Sequence, residues 1–266
     1  MALYVNTNVA AIDAANNLNT TEMALEKSTQ QLSSGLRINS AADDAAGLTI
    51  SESLTSQING VDQANRNAQD GVSLVQTASG ALTQVQQMLQ RIRELAVQYG
   101  NSTLNSTDQT AIQTEVNQLL SEINQIGSTA QFNGIDILNS GSTLTFQVGA
   151  NDGETITVST ISLGSTVGTI SLGTSTTLST IDAAINAVSG VASTFGAVQN
   201  RLQYTMANLS TYEENLTAAN TRIVDVDMAS AMTSFTSEQV LQQAGTAMLS
   251  QAQKLPDAVL SLLQGA

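Results

Sequence analysis

Seven successive heptad positions between 181 and 223 are apolar: Ile181, Val188, Phe195, Leu202, Leu209, Leu216 and Ile223. An earlier series does the same: Leu54, Val61, Ala68, Val75, Leu82, Leu89 and Ala96. Beside it runs a second stripe, Ile58 and Val72, which then slides by one residue to Ala78, Val85, Ile92 and Tyr99. A seven-residue repeat held this long suits a helix lying along other helices, because 3.5 residues per turn keeps one stripe on one seam. At 1.5 Å per residue, the segment from about 44 to 99 would be on the order of 80 Å long. The spacing therefore predicts a mainly α chain of long antiparallel helical rods, packed as a coiled-coil-like bundle. The expected rod seam is Leu54, Val61, Val75, Leu82, Leu89, Val188, Phe195, Leu202, Leu209 and Leu216.

The two ends carry narrower stripes. Val5, Val9, Ile12, Leu18, Leu25 and Leu32 mark the N-terminal one, against a background of Asn and Thr that forms helix poorly. Leu241, Met248, Leu255 and Leu262 repeat every seven residues at the C-terminus. Leu18, Leu25 and Leu32 are expected to pair with them, bringing both termini to one end. "YGNSTLNSTDQ" (99–109) interrupts the helical pattern, and Thr107 or Asp108 is the expected cap of the next helix. Ile112, Val116, Leu119, Ile123 and Ile126 form one face of that helix. Asn133-Gly134 predicts a tight hairpin, and "ANDG" lies between two period-two segments that predict another. The Ser/Thr/Gly-rich stretch after it reads as weak strands or loops, with Thr180 capping the helix that follows.

Composition narrows the function. Aromatics are 3% of the chain, Trp is absent and proline occurs once, so Ala, Leu, Ile and Val must do the packing. That suits thin helix-on-helix contacts rather than a thick spherical core. A net charge of -14 repels nucleic acid and anionic membranes, so neither is an expected partner. The absence of Cys removes thiol chemistry, and the absence of His removes the commonest general base. No phosphate loop, GxSxG elbow or HExxH motif is present. The chain reads as a non-enzyme with no cofactor and no metal. The first 22 residues lack a basic segment and an apolar core, so they do not read as a Sec-type signal peptide. No run of about 18 apolar residues is evident, and no membrane-spanning helix is expected.

Four polar groups invite a functional reading. Asp43 and Asp44 are adjacent, and on a helix they would point about 100° apart, so they do not converge as an acid/base pair. They sit where the long helix begins, with Ser40 or Asp43 as its expected cap. Asp225 and Asp227 lie too close in sequence, without a third ligand nearby, and read as a hinge or cap. "ANDGET" lacks the bidentate Glu of a calcium loop and reads as a turn. Arg91 and Arg93 form a small basic patch, either a solvated helix face or a contact surface.

Several long motifs, in order, resemble bacterial flagellin. They are "LSSGLRINSAADDAAGLTIS" (32–51), "QDGVSLVQTASGAL" (69–82), "QRIRELAVQ" (90–98), "QFNGIDIL" (131–138), "FQVGANDGETITV" (146–158), "VLQQAGTAMLSQA" (240–252) and "SQAQKLPDAVLSLL" (250–263). The resemblance implies a self-polymerising, extracellular flagellar filament subunit for motility. It implies export through the flagellar type III apparatus, with the ends folding on assembly. It implies an inner helical domain, 1–40 with 226–266, lining the filament channel. It also implies a rod domain over 41–225, with hairpins at about 131–179 and no large outer domains. The implied partners are other copies, the flagellar cap and hook-junction proteins, a cytoplasmic export chaperone at the C-terminal segment, and the host Toll-like receptor for flagellin. The matching motif carries the receptor contact to Gln90, Arg91, Leu95 and Glu115. A hook–filament junction protein shares helical ends, and a helical adhesin stalk would not polymerise. A flagellin with a protease centre would need an HExxH motif, which a chain without His cannot supply.

Overall fold

The computed structural model describes residues 7–139, 141–168, 170–173 and 177–264, with the backbone alone over 255–264. The helices are α1 (Val9–Ser34), α2 (Ala45–Tyr99), α3 (Ser106–Thr129), α4 (Leu163–Val167), α5 (Thr177–Val224) and α6 (Met228–Gln264). The strands are β1 (Gln131–Phe132), β2 (Ile135–Asp136), β3 (Thr143–Gln147) and β4 (Thr155–Ser159). The chain forms two compact units, one of residues 57–215 and one of residues 1–56 with 216–266.

In the 57–215 unit, the heptad stripes form a continuous core. Val61, Ala68, Val75, Leu82 and Leu89 of α2 are buried, as are Ala78, Val85 and Ile92 of the second stripe. Ile112, Val116 and Ile123 of α3 and Ile181, Val188, Phe195, Leu202 and Leu209 of α5 are also buried. An 18-residue window of α5 reaches a mean hydropathy of 1.3, long and apolar enough to cross a membrane, which corrects the reading from sequence. Ile181, Val188, Phe195 and Leu202 within α5 are nevertheless buried in the protein's own core.

Both hairpins form as two-stranded antiparallel pairs. Asn133 and Gly134 hold φ of 49° and 77°, the left-handed pair that a two-residue hairpin loop requires. In β3–β4, Leu144 pairs with Val158 and Phe146 with Ile156, so one face is apolar and turned to the core. Two small positions on α2 admit this hairpin. A Cβ on Gly60 would come within 2.9 Å of the Ala150 Cβ, and one on Gly71 within 3.1 Å of the Phe146 ring. Between them, Asn67 Nδ2 donates to the Gln147 carbonyl at 3.1 Å.

Three local expectations are corrected. The cap of α3 is Asn105, whose Oδ1 accepts from Asp108 N at 2.9 Å in a capping box, two residues ahead of Thr107. α5 starts at Thr177, and the Thr180 hydroxyl donates back to the Thr177 carbonyl inside the helix. The stretch after β4 contains the short helix α4 rather than only strands or loops. Leu163 and Val167, four apart, bury one face of it, and Leu163 packs over Gly127 of α3.

In the second unit, α1 and α6 run antiparallel. Asn8 Nδ2 donates to the Ala252 carbonyl at 2.8 Å, and Leu18 lies against Gly245. On α1 the seam falls on Leu18, Leu25 and Leu32, all half-buried, interleaved with Thr21 and the buried Ser28. Leu54 and Leu216, expected in the rod seam, belong to this unit and are half-buried. On α6 one line of the seam is Ala231, Glu238, Gly245 and Ala252, again seven apart but three residues out of phase with Leu241 and Met248, and the half-buried Phe235, Gln242 and Leu249 alternate with it. Leu241 and Met248 are exposed, which corrects their expected place in this pairing. The physical reason is closeness: Gly245 admits Leu18, and a larger side chain there would hold the helices apart. Leu255 and Leu262 fall where side chains lie outside the described residues. Glu238 places its Oε2 in the seam, buried and without a hydrogen-bond partner.

Leu202→Ala is expected to cost roughly 2–5 kcal/mol of stability, read from a denaturant melt. Leu241→Ala, at an exposed site, is expected to leave the same melt within about 0.5 kcal/mol of wild type. Glu238→Leu removes a buried unpaired oxygen and is expected to increase amide protection of α1 and α6, by about 1 kcal/mol. A Glu238→Leu chain with less protected helices would show that the carboxylate is satisfied.

Candidate interaction surfaces

On one face of the 57–215 unit, α2 and α3 bring three of the four motif residues together. Arg91 donates from Nε and Nη2 to Glu115 Oε1 at 3.1 and 3.0 Å, and from Nη1 to Glu94 Oε2 at 3.2 Å. The hydrogen bond from Glu115, then that from Glu94, raises the Arg91 pKa above its ordinary value. Gln90 is exposed one position before Arg91. Leu95 is not on this surface: it is 2% exposed and packed in the core beneath α2 and α3. A shallow groove beside Arg91 is lined by Gln87, Met88, Leu119 and Ile126. Arg93 turns to α5, where its Nε donates to Asp182 Oδ1 at 2.7 Å. Both pairs are about half-exposed, so they orient side chains more than they stabilise the fold.

A second polar cluster lies where α1 ends. Gly35 closes the helix in the left-handed conformation, φ 73°, and its N–H donates to the Gln31 carbonyl. The chain then pairs with the segment between α5 and α6. Arg37 N donates to the Val224 carbonyl at 2.6 Å, Val226 N to the Gly35 carbonyl at 3.1 Å, and Arg37 Nη2 to the Ile223 carbonyl at 2.6 Å. Asp43 and Asp44 divide two tasks here. Asp44 caps α2, accepting from Gly47 N at 2.9 Å, a position expected of Ser40 or Asp43. Asp43 Oδ2 accepts from Asn39 N, Ser40 N and the Ser40 hydroxyl, each at 3.2 Å, while Oδ1 faces Lys27 Nζ at 2.8 Å. The Lys27 hydrogen bond first, then the backbone N–H of Asn39, lowers the Asp43 pKa from 3.8 to about 2. Asp227 caps α6 from the far side of the crossing, accepting from Ala229 N at 3.0 Å.

The third surface is apolar. Along α1 and α6, Val9, Ile12, Met23, Met228, Met232, Val240, Leu241 and Met248 are exposed. Met232, Val240 and Leu241 line an open groove with Thr233, Thr236 and Ser237. The only residue of α1 that is fully buried is Ser28. Among the described residues, no three acidic side chains converge as a metal site.

Comparison with known proteins agrees across these elements. Residues 5–143 match the family of the bacterial flagellin N-terminal helical region, and 178–263 match that of the C-terminal helical region. The flagellin of Halalkalibacterium halodurans is 46% identical over 272 aligned residues, covering 98% of this chain and all of the relative. The flagellar filament 33 kDa core protein of Treponema phagedenis is 40% identical, over 98% of this chain and all of its own. The crystal structure of Bacillus cereus flagellin is 32% identical and aligns with a TM-score of 0.51, covering 58% of this chain and 94% of that one.

Asp43 gives a pH prediction with a definite sign. Its pKa in the fold lies below the usual 3.8, so its contribution is complete above about pH 4 and is lost as pH falls toward about 2. Amide protection of residues 36–40 is expected to fall across that window, and Asp43→Asn is expected to remove the dependence. Unchanged protection from pH 5 to 2 in the wild-type chain would show that Asp43 does not hold the turn.

Proposed function

Because this chain belongs to the bacterial flagellin family and is a structural subunit of the flagellar filament, we propose that its two end helices form the inner, assembling part of that filament. The observation that carries this is the apolar face of α1 and α6. Val9, Ile12, Val240, Leu241 and Met248 are exposed, with nothing among the described residues covering them. Ordering a helix of this length costs about 1–2 kcal/mol per residue in backbone entropy. A seam of Leu18, Leu25, Leu32 and small residues offsets little of that, and an isolated helix is marginal in water. Neighbouring copies supply the missing burial, so folding of the ends is coupled to assembly.

The same weakness supports export as an unfolded chain through the flagellar type III apparatus, to a filament outside the cell. Weakly held ends unfold at small cost, and a chain with no Cys carries no disulfide that would block threading. A chaperone on the C-terminal segment would keep the apolar face of α6 from pairing too early, and cap and hook-junction proteins would meet the same ends during assembly. Recognition by the host Toll-like receptor for flagellin is supported by Gln90, Arg91 and Glu115 on one exposed face. Leu95 lies under it and acts by holding α2 against the core.

Purified chain concentrated with a precipitating salt is expected to form filaments visible by electron microscopy, while residues 41–225 alone do not form them. Filaments from the trimmed chain would reject the assembling role of the ends. Arg91→Ala is expected to lower receptor signalling by monomer with circular dichroism unchanged, and a wild-type response would reject the surface.

A further inference from the structure

Among the described residues, the methionines are sorted by unit. Met88 and Met206, in residues 57–215, are partly buried and packed against the core. Met23, Met228, Met232 and Met248, all in the unit of the two ends, are 71%, 48%, 50% and 66% exposed. None of these four fills the α1–α6 seam, where Leu18, Leu25 and Leu32 are half-buried on α1 and Phe235, Gly245, Leu249 and Ala252 are half-buried or buried on α6. The end unit thus presents four thioethers to solvent, on the helices whose apolar faces lack cover.

We propose that Met23, Met228, Met232 and Met248 are a reversible oxidation site through which hydroperoxides block assembly of the free subunit. The inference rests on the end helices being the assembling surface. In the step itself, the thioether sulfur attacks one oxygen of hydrogen peroxide and the O–O bond breaks. That oxygen stays on sulfur as the sulfoxide, and the other leaves as water. Sulfur is oxidised by two electrons and the peroxide is reduced by two. The product is polar and chiral where an apolar, flexible side chain stood. Buried between copies without a donor, its oxygen bears the penalty of an unpaired polar group. In the free subunit the same sulfoxide stays in water and carries no such penalty.

Soluble full-length chain is treated with hydrogen peroxide, quenched, mapped by mass spectrometry and then salted out. The expected result is a gain of about 16 Da at each of the four methionines before Met88 and Met206 gain any. Polymer yield is expected to fall by at least roughly tenfold. Incubation with methionine sulfoxide reductases A and B and a thiol reductant is expected to restore both mass and yield. The proposal is overturned if oxidised chain assembles like untreated chain, if Met88 and Met206 oxidise as fast as the four, or if reduction restores mass but not yield. Preformed filaments given the same peroxide separate the two readings. Protection of the four methionines supports burial of the ends, whereas oxidation at the monomer rate rejects that burial whatever the monomer experiment gives.

Discussion

The fold of residues 57–215 depends on burial of one apolar seam shared by α2, α3 and α5. Phe195, Leu82, Leu89, Ile92 and Leu202 are all fully buried in it, and the smaller elements are fitted to its surface. The hairpin β3–β4 brings Leu144, Phe146, Ile156 and Val158 to that core, and Gly60 and Gly71 let it approach α2 closely. α4 adds Leu163 and Val167 over Gly127. The charged pairs Arg91–Glu115 and Arg93–Asp182 lie half-exposed on the outer faces of this unit. A surface of paired charges and small polar residues suits contact with other proteins.

The end helices are built on the opposite balance. Their seam is narrow, with Gly245 and two alanines facing leucines, and it carries one misplaced carboxylate, Glu238. Close approach of backbones gives antiparallel alignment but little buried apolar area. Leu241 and Met248 are exposed, while Phe235 and Leu249 are half-buried on the seam side. A pair that satisfied itself would be stable alone and would have little reason to associate. A pair that leaves Leu241 and Met248 uncovered keeps apolar surface that the proposed assembly would bury.

Where the end helices meet α2 and α5, the stabilising groups are polar. Two backbone segments meet within a few residues, and their N–H and C=O groups need partners. The short pairing of 35–37 with 224–226 satisfies several, and Arg37, Asp43, Asp44 and Asp227 satisfy others. Asp43 is the most specialised of these, since one carboxylate closes a turn and meets Lys27 on a preceding helix. Two adjacent aspartates therefore serve two different backbone segments, which explains the pair without any chemistry between them.

Much of this was legible in the sequence because burial along a helix is periodic. The heptads named α2 and α5 and many of their buried residues, from Val61 to Leu89 and Ile181 to Leu209, but not the buried Ala64, Leu74, Ala184 and Val198. Asn133-Gly134 named its hairpin because few residue pairs accept two left-handed conformations. The motif around 90–98 pointed to Arg91, and Asn105-x-x-Asp108 carried a capping-box signal that a nearer Thr obscured. Other features had no local signature. The partner of Asp43 is sixteen positions back in sequence, and Arg91 meets Glu115 only because α3 folds onto α2. Leu95 sits within a surface motif, yet the packing of α2 on α3 takes it inside. On α6, sequence favoured Leu241 and Met248 for the seam because they repeat every seven residues with Leu255 and Leu262. Backbone separation decided otherwise, since Leu18 needs Gly245 opposite it. Hydrophobic spacing thus determined which segments are helices and that they pack together, whereas which face meets which partner depended on the distance between two backbones.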